Sequence, residues 1–186
     1  MTDASDDVLL QTERLSLRRL TPADVDALVE LDSDPEVTFF VTGGPPEFAA
    51  PMLDAWLHEY ARWRGYGTFA AIERASGEFV GWFHLRPEAG HDDQPELGYR
   101  LRRSAWGRGL ATEGSRALID FAFRDLGASR VWAEAMSVNA ASRRVMEKAG
   151  MRQVRTFHAE WPYRIPGDEQ GDVEYEVTRA DWDATR

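Results

Sequence analysis

The sequence predicts one α/β domain built from strands and helices that alternate along the chain. The chain has 186 residues, of which 43% are hydrophobic and 29% charged, as expected for one globular domain. Runs in which every second residue is apolar alternate with runs of helical period. A glycine-bearing turn joins one strand-like run to an amphipathic helix. We expect the domain to cover residues 12–182, preceded by a frayed or disordered acidic tail over residues 1–11.

In the first half of the chain, strand-like and helical runs are separated by turn signals. The strand-like runs are residues 12–20, 68–73 and 78–86, and the helical runs are residues 21–32 and 47–63. Thr21 as N-cap and Pro22 at the first helical position predict the start of the first helix. Residues 42–46 predict a loop, because they contain two glycines and two prolines.

The second half repeats this alternation. The strand-like runs are residues 95–101, 130–135, 151–157 and 173–179, and the helical runs are residues 111–126 and 139–150. A turn around His91 is expected before the strand at Pro95, and Gly127 is expected to end the longer helix. The last two strands are joined by a long segment that includes Trp161, Pro162 and Tyr163. Because long loops are often functional, we expect this segment to contact substrate.

Residues 106–112, here called the glycine turn, lie between a strand and a helix. Glycine allows close approach of the backbone to a ligand, and the first turn of a helix offers unpaired N–H groups with a partial positive charge. The backbone from Gly107 to Thr112 therefore predicts a phosphate or pyrophosphate site. The other interpretation is a tight turn that merely requires glycine.

Two segments together, residues 106–114 and 139–151, resemble the signature segments of the GNAT acyl-CoA N-acyltransferases, in particular the ribosomal-protein alanine N-acetyltransferases. Gly109 and Ala111 occupy the last two positions of the family pattern, whereas Trp106 stands where Gln or Arg is general. The resemblance implies a mixed, mostly antiparallel twisted sheet of about six or seven strands flanked by helices on both faces. It also implies acetyl-CoA as cosubstrate.

In this family the strand before the glycine turn splays from the next strand, and the pantetheine arm inserts between them. The resemblance therefore implies cofactor contacts at Leu97, Gly98, Tyr99, Gly107, Arg108, Gly109, Leu110, Ala111, Thr112 and Asn139. Gly98 also has a structural interpretation, since a strand glycine can make room for an aromatic neighbour. Asn139 is likewise a good helix N-cap, and this role competes with ligand binding for the same side chain.

Candidates for proton transfer lie beside these residues. Glu96 adjoins the implied reaction centre and is the candidate base, directly or through water, with His84 as the second candidate. Ser142 lies about one helical turn from Asn139 and is the candidate acid that protonates the leaving thiolate. A plain N-terminal helix serine is the alternative, because many acetyltransferases of this fold use a tyrosine near this helix and residues 139–150 contain none.

Composition restricts the partners. The net charge of −10 disfavours direct binding of nucleic acid and suits a cationic substrate. Six arginines near the glycine turn are expected either to face the phosphates of a nucleotide or to be solvated. They are Arg100, Arg102, Arg103, Arg108, Arg143 and Arg144. The absence of cysteine agrees with a cytoplasmic location, and neither a signal peptide nor a membrane span is expected.

The sequence disfavours other enzyme classes. Thr112 stands where a dinucleotide-binding motif has its third glycine, no P-loop occurs, and the histidines lack metal-ligand spacing. The resemblance to the GNAT family therefore implies an N-acetyltransferase, and the sequence gives no indication of a metal site. The enzyme would transfer acetyl from acetyl-CoA to a primary amine, of a protein N-terminus or a small molecule, by direct attack in a ternary complex. The alternative is a non-catalytic acyl-CoA sensor, and a monomer or homodimer is expected.

Overall fold

The computed structural model describes residues 8–40, 49–88, 90–160 and 164–185. Their strands are β1 (Val8–Gln11), β2 (Leu15–Arg19), β3 (Gly67–Glu73), β4 (Phe79–Glu88), β5 (His91–Leu101), β6 (Arg130–Met136), β7 (Arg152–Phe157) and β8 (Asp172–Thr178). Their helices are α1 (Val25–Ser33), α2 (Pro35–Thr38), α3 (Ala49–Arg62), α4 (Leu110–Arg124), α5 (Ala140–Lys148) and α6 (Arg179–Asp183). The predicted α/β fold with a mostly antiparallel sheet is confirmed, but the sheet has eight strands rather than six or seven.

The sheet opens at its centre. Its order is β1-β2-β3-β4-β5-β6-β8-β7, and every neighbouring pair is antiparallel except β5 and β6. These two strands share the single register pair Glu96–Trp132, whereas β6 pairs with β8 along its whole length. Before that pair, the Ser129 amide donates to the Asp93 carbonyl at 2.8 Å. Beyond it, residues 97–101 have no strand partner on the β6 side.

Some element boundaries differ from those expected. Residues 8–11 were assigned to a tail, but they pair with β2, because Leu9 and Leu10 pack against the buried core. The turn expected around His91 is part of β5, since the Glu88–His91 pair continues the ladder with β4. The tail residues 1–7, the predicted loop at 42–46 and residues 161–163 lie outside the described residues. The rest of the segment expected to contact substrate, which includes Pro166 and Asp168, is described.

Two hydrophobic clusters cover the two faces of the sheet. The cluster beneath α4 includes Phe83, Leu97 and Leu118, each no more than 2% exposed. The cluster on the other face, beneath α1 and α3, includes Trp56 and Trp82. Because side chains alternate along a strand, β5 presents Leu97 and Tyr99 to the first face and Glu96 and Gly98 to the second.

Arginines at the end of β5 join the sheet to α1 and α2. Arg100 Nη1 lies 2.5 Å from Asp32 Oδ1, and the two side chains are only 9% and 12% exposed. Arg102 pairs with Glu30 at 2.8 Å. Arg103 pairs with Asp34 at 2.6 Å and with Glu36 at 2.5 Å. These three arginines therefore hold the helices above the sheet, instead of forming the phosphate-facing cluster considered from the sequence.

We predict that Arg100→Ala lowers the free energy of unfolding by about 3–5 kcal/mol, because it leaves the Asp32 carboxylate, which is only 12% exposed, without its partner. Urea denaturation measures this loss. Replacing both residues in Arg100→Met/Asp32→Asn should cost less than Arg100→Ala alone. A loss of stability below about 1 kcal/mol, which is the range of exposed ion pairs, would contradict a stabilising role of the Arg100–Asp32 pair.

Candidate functional site

A cleft of about 650 Å³ runs along the unpaired edge of β5. The glycine turn, α2 and α5 contribute to its walls. Of the residues proposed from the sequence, it is lined by Tyr99, Gly107, Gly109, Leu110, Ala111, Thr112, Asn139 and Ser142. The glycine turn and the start of α5, which are more than 25 residues apart in sequence, thus meet in one cavity. Leu97 is 2% exposed in the core, so its side chain lies away from the cleft.

The glycine turn has the backbone conformation that its glycines permit. Gly107 has a φ of +70° and Gly109, the N-cap of α4, a φ of +80°. Residues that carry a side chain rarely adopt this left-handed backbone conformation. The first hydrogen bond of α4 runs from the Glu113 amide to the Gly109 carbonyl at 3.0 Å. The backbone amides of Leu110, Ala111 and Thr112 precede this bond and have no acceptor within the helix. These residues line the cleft, and unpaired amides at a helix start suit an anion.

Arg14 fixes the glycine turn from outside the cleft. Its guanidinium donates to the Arg108 carbonyl at 2.7 Å and to Glu113 Oε2 at 2.6 Å. Its backbone amide donates to Glu113 Oε1 at 2.8 Å. Sequence reasoning missed Arg14, because it is 94 residues from Arg108 and no local pattern links them. The Arg108 guanidinium pairs with Glu73, so this side chain, proposed as a cofactor contact, is directed away from the cleft.

Positive charge in the cleft comes from α5. Arg144 and Lys148 are four residues apart, lie on one helix face and line the cleft. Arg143 is engaged elsewhere, since its guanidinium donates to the Ser137 carbonyl at 3.2 Å and to the Tyr175 hydroxyl at 3.3 Å. Of the six arginines singled out in the sequence, Arg144 thus has the position expected of a phosphate ligand.

Asn139 is the N-cap of α5. Its Oδ1 accepts a hydrogen bond from the Ser142 amide at 3.1 Å, which is the capping role considered from the sequence. A side-chain amide also carries an NH₂ group, and the cap does not use it. Because Asn139 lines the cleft as well, one side chain can cap the helix through oxygen and donate to a ligand through nitrogen.

A tyrosine from β5 supplies the phenol that α5 lacks. The Tyr99 hydroxyl lies 2.9 Å from Ser142 Oγ, and it donates to the Ser142 carbonyl at 3.2 Å. Burial raises the pKa of Tyr99 to about 12, although its hydrogen bond to Ser142 acts in the opposite direction. The sequence singled out Tyr99 only as a neighbour of the acyl group. The pairing across 43 residues follows from the fold and has no local signal.

Glu96 lies on the opposite face of β5, in a second cavity of about 380 Å³. Arg86 Nη2 lies 3.6 Å from Glu96 Oε2, and His84 Nε2 lies 3.7 Å from Glu96 Oε1. Burial alone would raise the pKa of Glu96, but its contact with the His84 ring and the positive charge of Arg86 outweigh burial and hold this pKa below its ordinary value. Glu96 is therefore ionised at neutral pH and available to accept a proton.

His84 explains why position 98 is glycine. A Cβ atom at Gly98 would lie 2.4 Å from both Cε1 and Nε2 of the His84 ring. The interpretation of Gly98 as room for an aromatic ring is thus supported by the geometry. His84 is 6% exposed and stacks on Trp82, with ring centroids 5.6 Å apart. Burial lowers the pKa of His84, so the ring next to Glu96 is neutral at pH 7.

Within the part of the chain that the structure describes, no helix has the length and apolarity of a membrane span. Among the same residues, no cluster of three or more histidine or acidic side chains is arranged to hold a metal ion.

Comparison with known proteins gives consistent matches over most of the chain. A sequence model of the acetyltransferase (GNAT) domain matches residues 14–152. An FsC-acetyl coenzyme A-N(2)-transacetylase from Aspergillus fumigatus is 38% identical over 183 residues, covering 93% of this chain and 77% of that protein.

Two solved structures share the fold at low identity. The RimL ribosomal L7/L12 alpha-N-protein acetyltransferase, solved with coenzyme A, has a TM-score of 0.77 at 18% identity over 92% of this chain and 98% of its own. The spermidine N-acetyltransferase of Vibrio cholerae, solved with CoA and spermine, has a TM-score of 0.75 at 14% identity over 92% and 99%. The matched domain model and the 38% identical relative show that this chain belongs to the GNAT acetyltransferase family.

Proposed function

We propose that the chain binds acetyl-CoA in the cleft along β5 and transfers the acetyl group directly to a primary amine in a ternary complex. The observation that carries this proposal is the unpaired edge of residues 97–101, which begins at the single pair between Glu96 and Trp132. An unpaired strand edge offers N–H and C=O groups to an extended ligand, and the pantetheine arm is such a ligand. Acetyl-CoA supplies an activated thioester.

The residues around the cleft fit the ends of this cosubstrate. The glycine turn offers backbone amides and a helix N-terminus to the pyrophosphate. Arg144 and Lys148 add cations on the facing wall. The NH₂ group of Asn139 is placed to donate to an amide of the arm. The cleft therefore offers hydrogen-bond donors and cations to the phosphates and a side-chain amide to the pantetheine arm.

Two proton transfers complete the reaction. The acceptor must lose a proton, and we assign this role to Glu96, directly or through water, with His84 beside it. The leaving thiolate must gain a proton, and we assign this role to the hydroxyls of Ser142 and Tyr99, which are hydrogen-bonded to each other. Because Tyr99 and Glu96 lie on opposite faces of β5, the two transfers occur on opposite sides of the strand.

The ionisation of the acceptor sets how strong the base must be. An α-amino group with a pKa of about 7.8 costs about 1 kcal/mol to neutralise at pH 7, whereas a lysine-type amine of about 10.4 costs nearly 5 kcal/mol. A carboxylate with a lowered pKa, such as Glu96, is a weak base. It therefore suits an α-amine or another amine of low pKa, at a protein N-terminus or on a small molecule.

The names of relatives support an amine acceptor without fixing its identity. The 38% identical relative is named an N(2)-transacetylase. The two structural neighbours described above are named for a ribosomal protein and for spermidine. We place the reaction in the cytosol, a location with which the absence of cysteine agrees.

We predict that Gly109→Glu abolishes binding of acetyl-CoA while the protein remains folded. The new side chain brings a negative charge to the anion site, and glutamate is unfavourable at the φ of +80° that Gly109 adopts there. Calorimetric titration with acetyl-CoA measures the effect. Gly127→Glu is the matched control, because Gly127 has a φ of +71° and open space around it and does not line the cleft. Equal affinities of wild type and Gly109→Glu would exclude this turn as the binding site.

We predict that Tyr99→Phe and Ser142→Ala each lower kcat roughly a hundredfold, the scale of general acid catalysis, with little change in the affinity for acetyl-CoA. Thiol release measures kcat and calorimetry measures affinity. Tyr66→Phe is the control, since the Tyr66 hydroxyl donates to the Asp92 carbonyl outside the cleft. If both variants stay within about twofold of wild type, neither hydroxyl is the proton donor.

Glu96→Gln should lower kcat/KM mainly at low pH. With an α-amine of pKa about 7.8, we expect a loss of about a hundredfold at pH 6 that shrinks to about threefold at pH 9, where the amine is already neutral. Because the pKa of Glu96 is lowered, its carboxyl group stays ionised in the wild-type protein between pH 6 and pH 9. Glu78→Gln, in an exposed turn, is the control. A loss that is equal at all pH values would remove Glu96 as the base.

A further inference from the structure

The peptide bond between Arg108 and Gly109 lies at the centre of the glycine turn. Gly107 and Gly109 stand on either side of Arg108, with φ angles of +70° and +80°. Because glycine adopts positive and negative φ about equally well, the residues of the turn do not fix the plane of this peptide by themselves. The contact that holds this plane therefore decides which backbone groups face the cleft.

Arg14 holds the carbonyl of this peptide. Its Nη1 donates to the Arg108 carbonyl at 2.7 Å. The carbonyl and the N–H of a trans peptide point in opposite directions, so the Gly109 amide points away from Arg14. Gly109 lines the cleft, whereas Arg14 does not. The Gly109 amide has no hydrogen-bond acceptor in the part of the chain that the structure describes, and it is thus available to a ligand in the cleft.

Glu113 joins Arg14 to the first turns of α4. Its Oε2 accepts from Arg14 Nε at 2.6 Å. Its Oε1 accepts from the Thr12 hydroxyl at 2.5 Å and from the Arg14 amide at 2.8 Å. Burial alone would raise the pKa of Glu113, but the hydrogen bonds from Thr12 and Arg14 outweigh burial and hold this pKa below its ordinary value. The carboxylate is therefore ionised at neutral pH and keeps the Arg14 guanidinium in one orientation.

The sheet supports this arrangement. The Arg74 amide donates to the Arg14 carbonyl at 2.9 Å, and Arg74 Nη1 donates to the Thr12 carbonyl at 2.7 Å. Glu73, the last residue of β3, pairs with the Arg108 guanidinium. Arg108 is therefore held twice from the end of β3, by its carbonyl through Arg14 and by its side chain through Glu73.

We propose that Arg14 is a positioning residue of the cosubstrate site, which directs the Gly109 amide towards the pyrophosphate of acetyl-CoA without contacting the cosubstrate. The inference rests on the proposed function, because it takes the glycine turn as the pyrophosphate site. Without Arg14, the peptide reaches other orientations, and the apparent affinity falls with the fraction of molecules that keep the binding orientation. The Arg14 side chain is 43% exposed, so its ion pair contributes little to stability and its removal should leave the protein folded.

The test compares cosubstrates with and without the pyrophosphate. Arg14→Ala should raise the Kd and the KM of acetyl-CoA by about tenfold to a hundredfold, with kcat within about twofold of wild type. S-acetylpantetheine has the same thioester arm but no pyrophosphate, and its kcat/KM should stay within about twofold in this variant. Calorimetry with acetyl-CoA measures the affinity without turnover, and thiol release measures the kinetic constants.

Two further variants separate positioning from a general effect of charge or folding. Arg14→Lys keeps the charge but lacks the planar fork that donates to Arg108 and Glu113 at once, so it should lose most of the affinity that Arg14→Ala loses. Arg155→Lys is the matched control, because Arg155 donates to Glu174 at 2.5 Å, is 58% exposed and does not line the cleft. It should bind acetyl-CoA as wild type does. Urea denaturation verifies that each variant is folded.

The outcomes distinguish this inference from the proposed function. A loss of affinity for acetyl-CoA in both Arg14 variants, but not in Arg155→Lys, would support the positioning role even if no acetyl transfer to an amine were seen. Unchanged affinity in folded Arg14→Ala would overturn the positioning role and leave the proposed function standing. An equal loss of kcat/KM for acetyl-CoA and S-acetylpantetheine would also overturn it, because that result indicates a structural role.

Discussion

The separation of β5 from β6 is the constraint on which the rest of the site depends. The strands are held together up to Glu96 by the Asp93–Ser129 hydrogen bond and one register pair, and they then diverge because β6 continues along β8. The unpaired edge of β5 becomes a wall of the cleft. On the other side of the opening, α5 follows β6 and brings Ser142 to the Tyr99 hydroxyl. The open strand edge and the hydroxyl pair that we propose as proton donor thus arise from the same break in the ladder.

The alternation of side chains along β5 divides the chemistry between two faces. Tyr99 adjoins the larger cleft, whereas Glu96 adjoins the smaller cavity with Glu59 and Arg86. In the proposed reaction, the cosubstrate and the acceptor therefore meet at the open edge of the strand. Gly98 lies between these two residues, where the absence of a Cβ atom admits the His84 ring beneath the strand.

Local patterns in the sequence predicted most of the elements and the local features that depend on backbone conformation. The positive φ angles of Gly107 and Gly109 and the capping by Asn139 are properties of a few neighbouring residues, so spacing was sufficient to find them. Pairings between distant segments could not be found in this way. The clustered arginines are an example, because Arg100 meets Asp32 from a helix 68 residues earlier in the chain. The strand at residues 8–11 was missed for a related reason, since its acidic neighbours suggested a tail.

Binding of acetyl-CoA along the open edge of β5 can be tested by hydrogen exchange of the backbone amides in residues 97–101, measured with and without acetyl-CoA. Amides on an open strand edge exchange readily, and a ligand that pairs with the edge protects them. We expect increased protection of this segment and of the glycine turn on addition of acetyl-CoA, with little change in β1 or β7. Unchanged exchange in residues 97–101 at saturating acetyl-CoA would contradict binding along the open edge of β5.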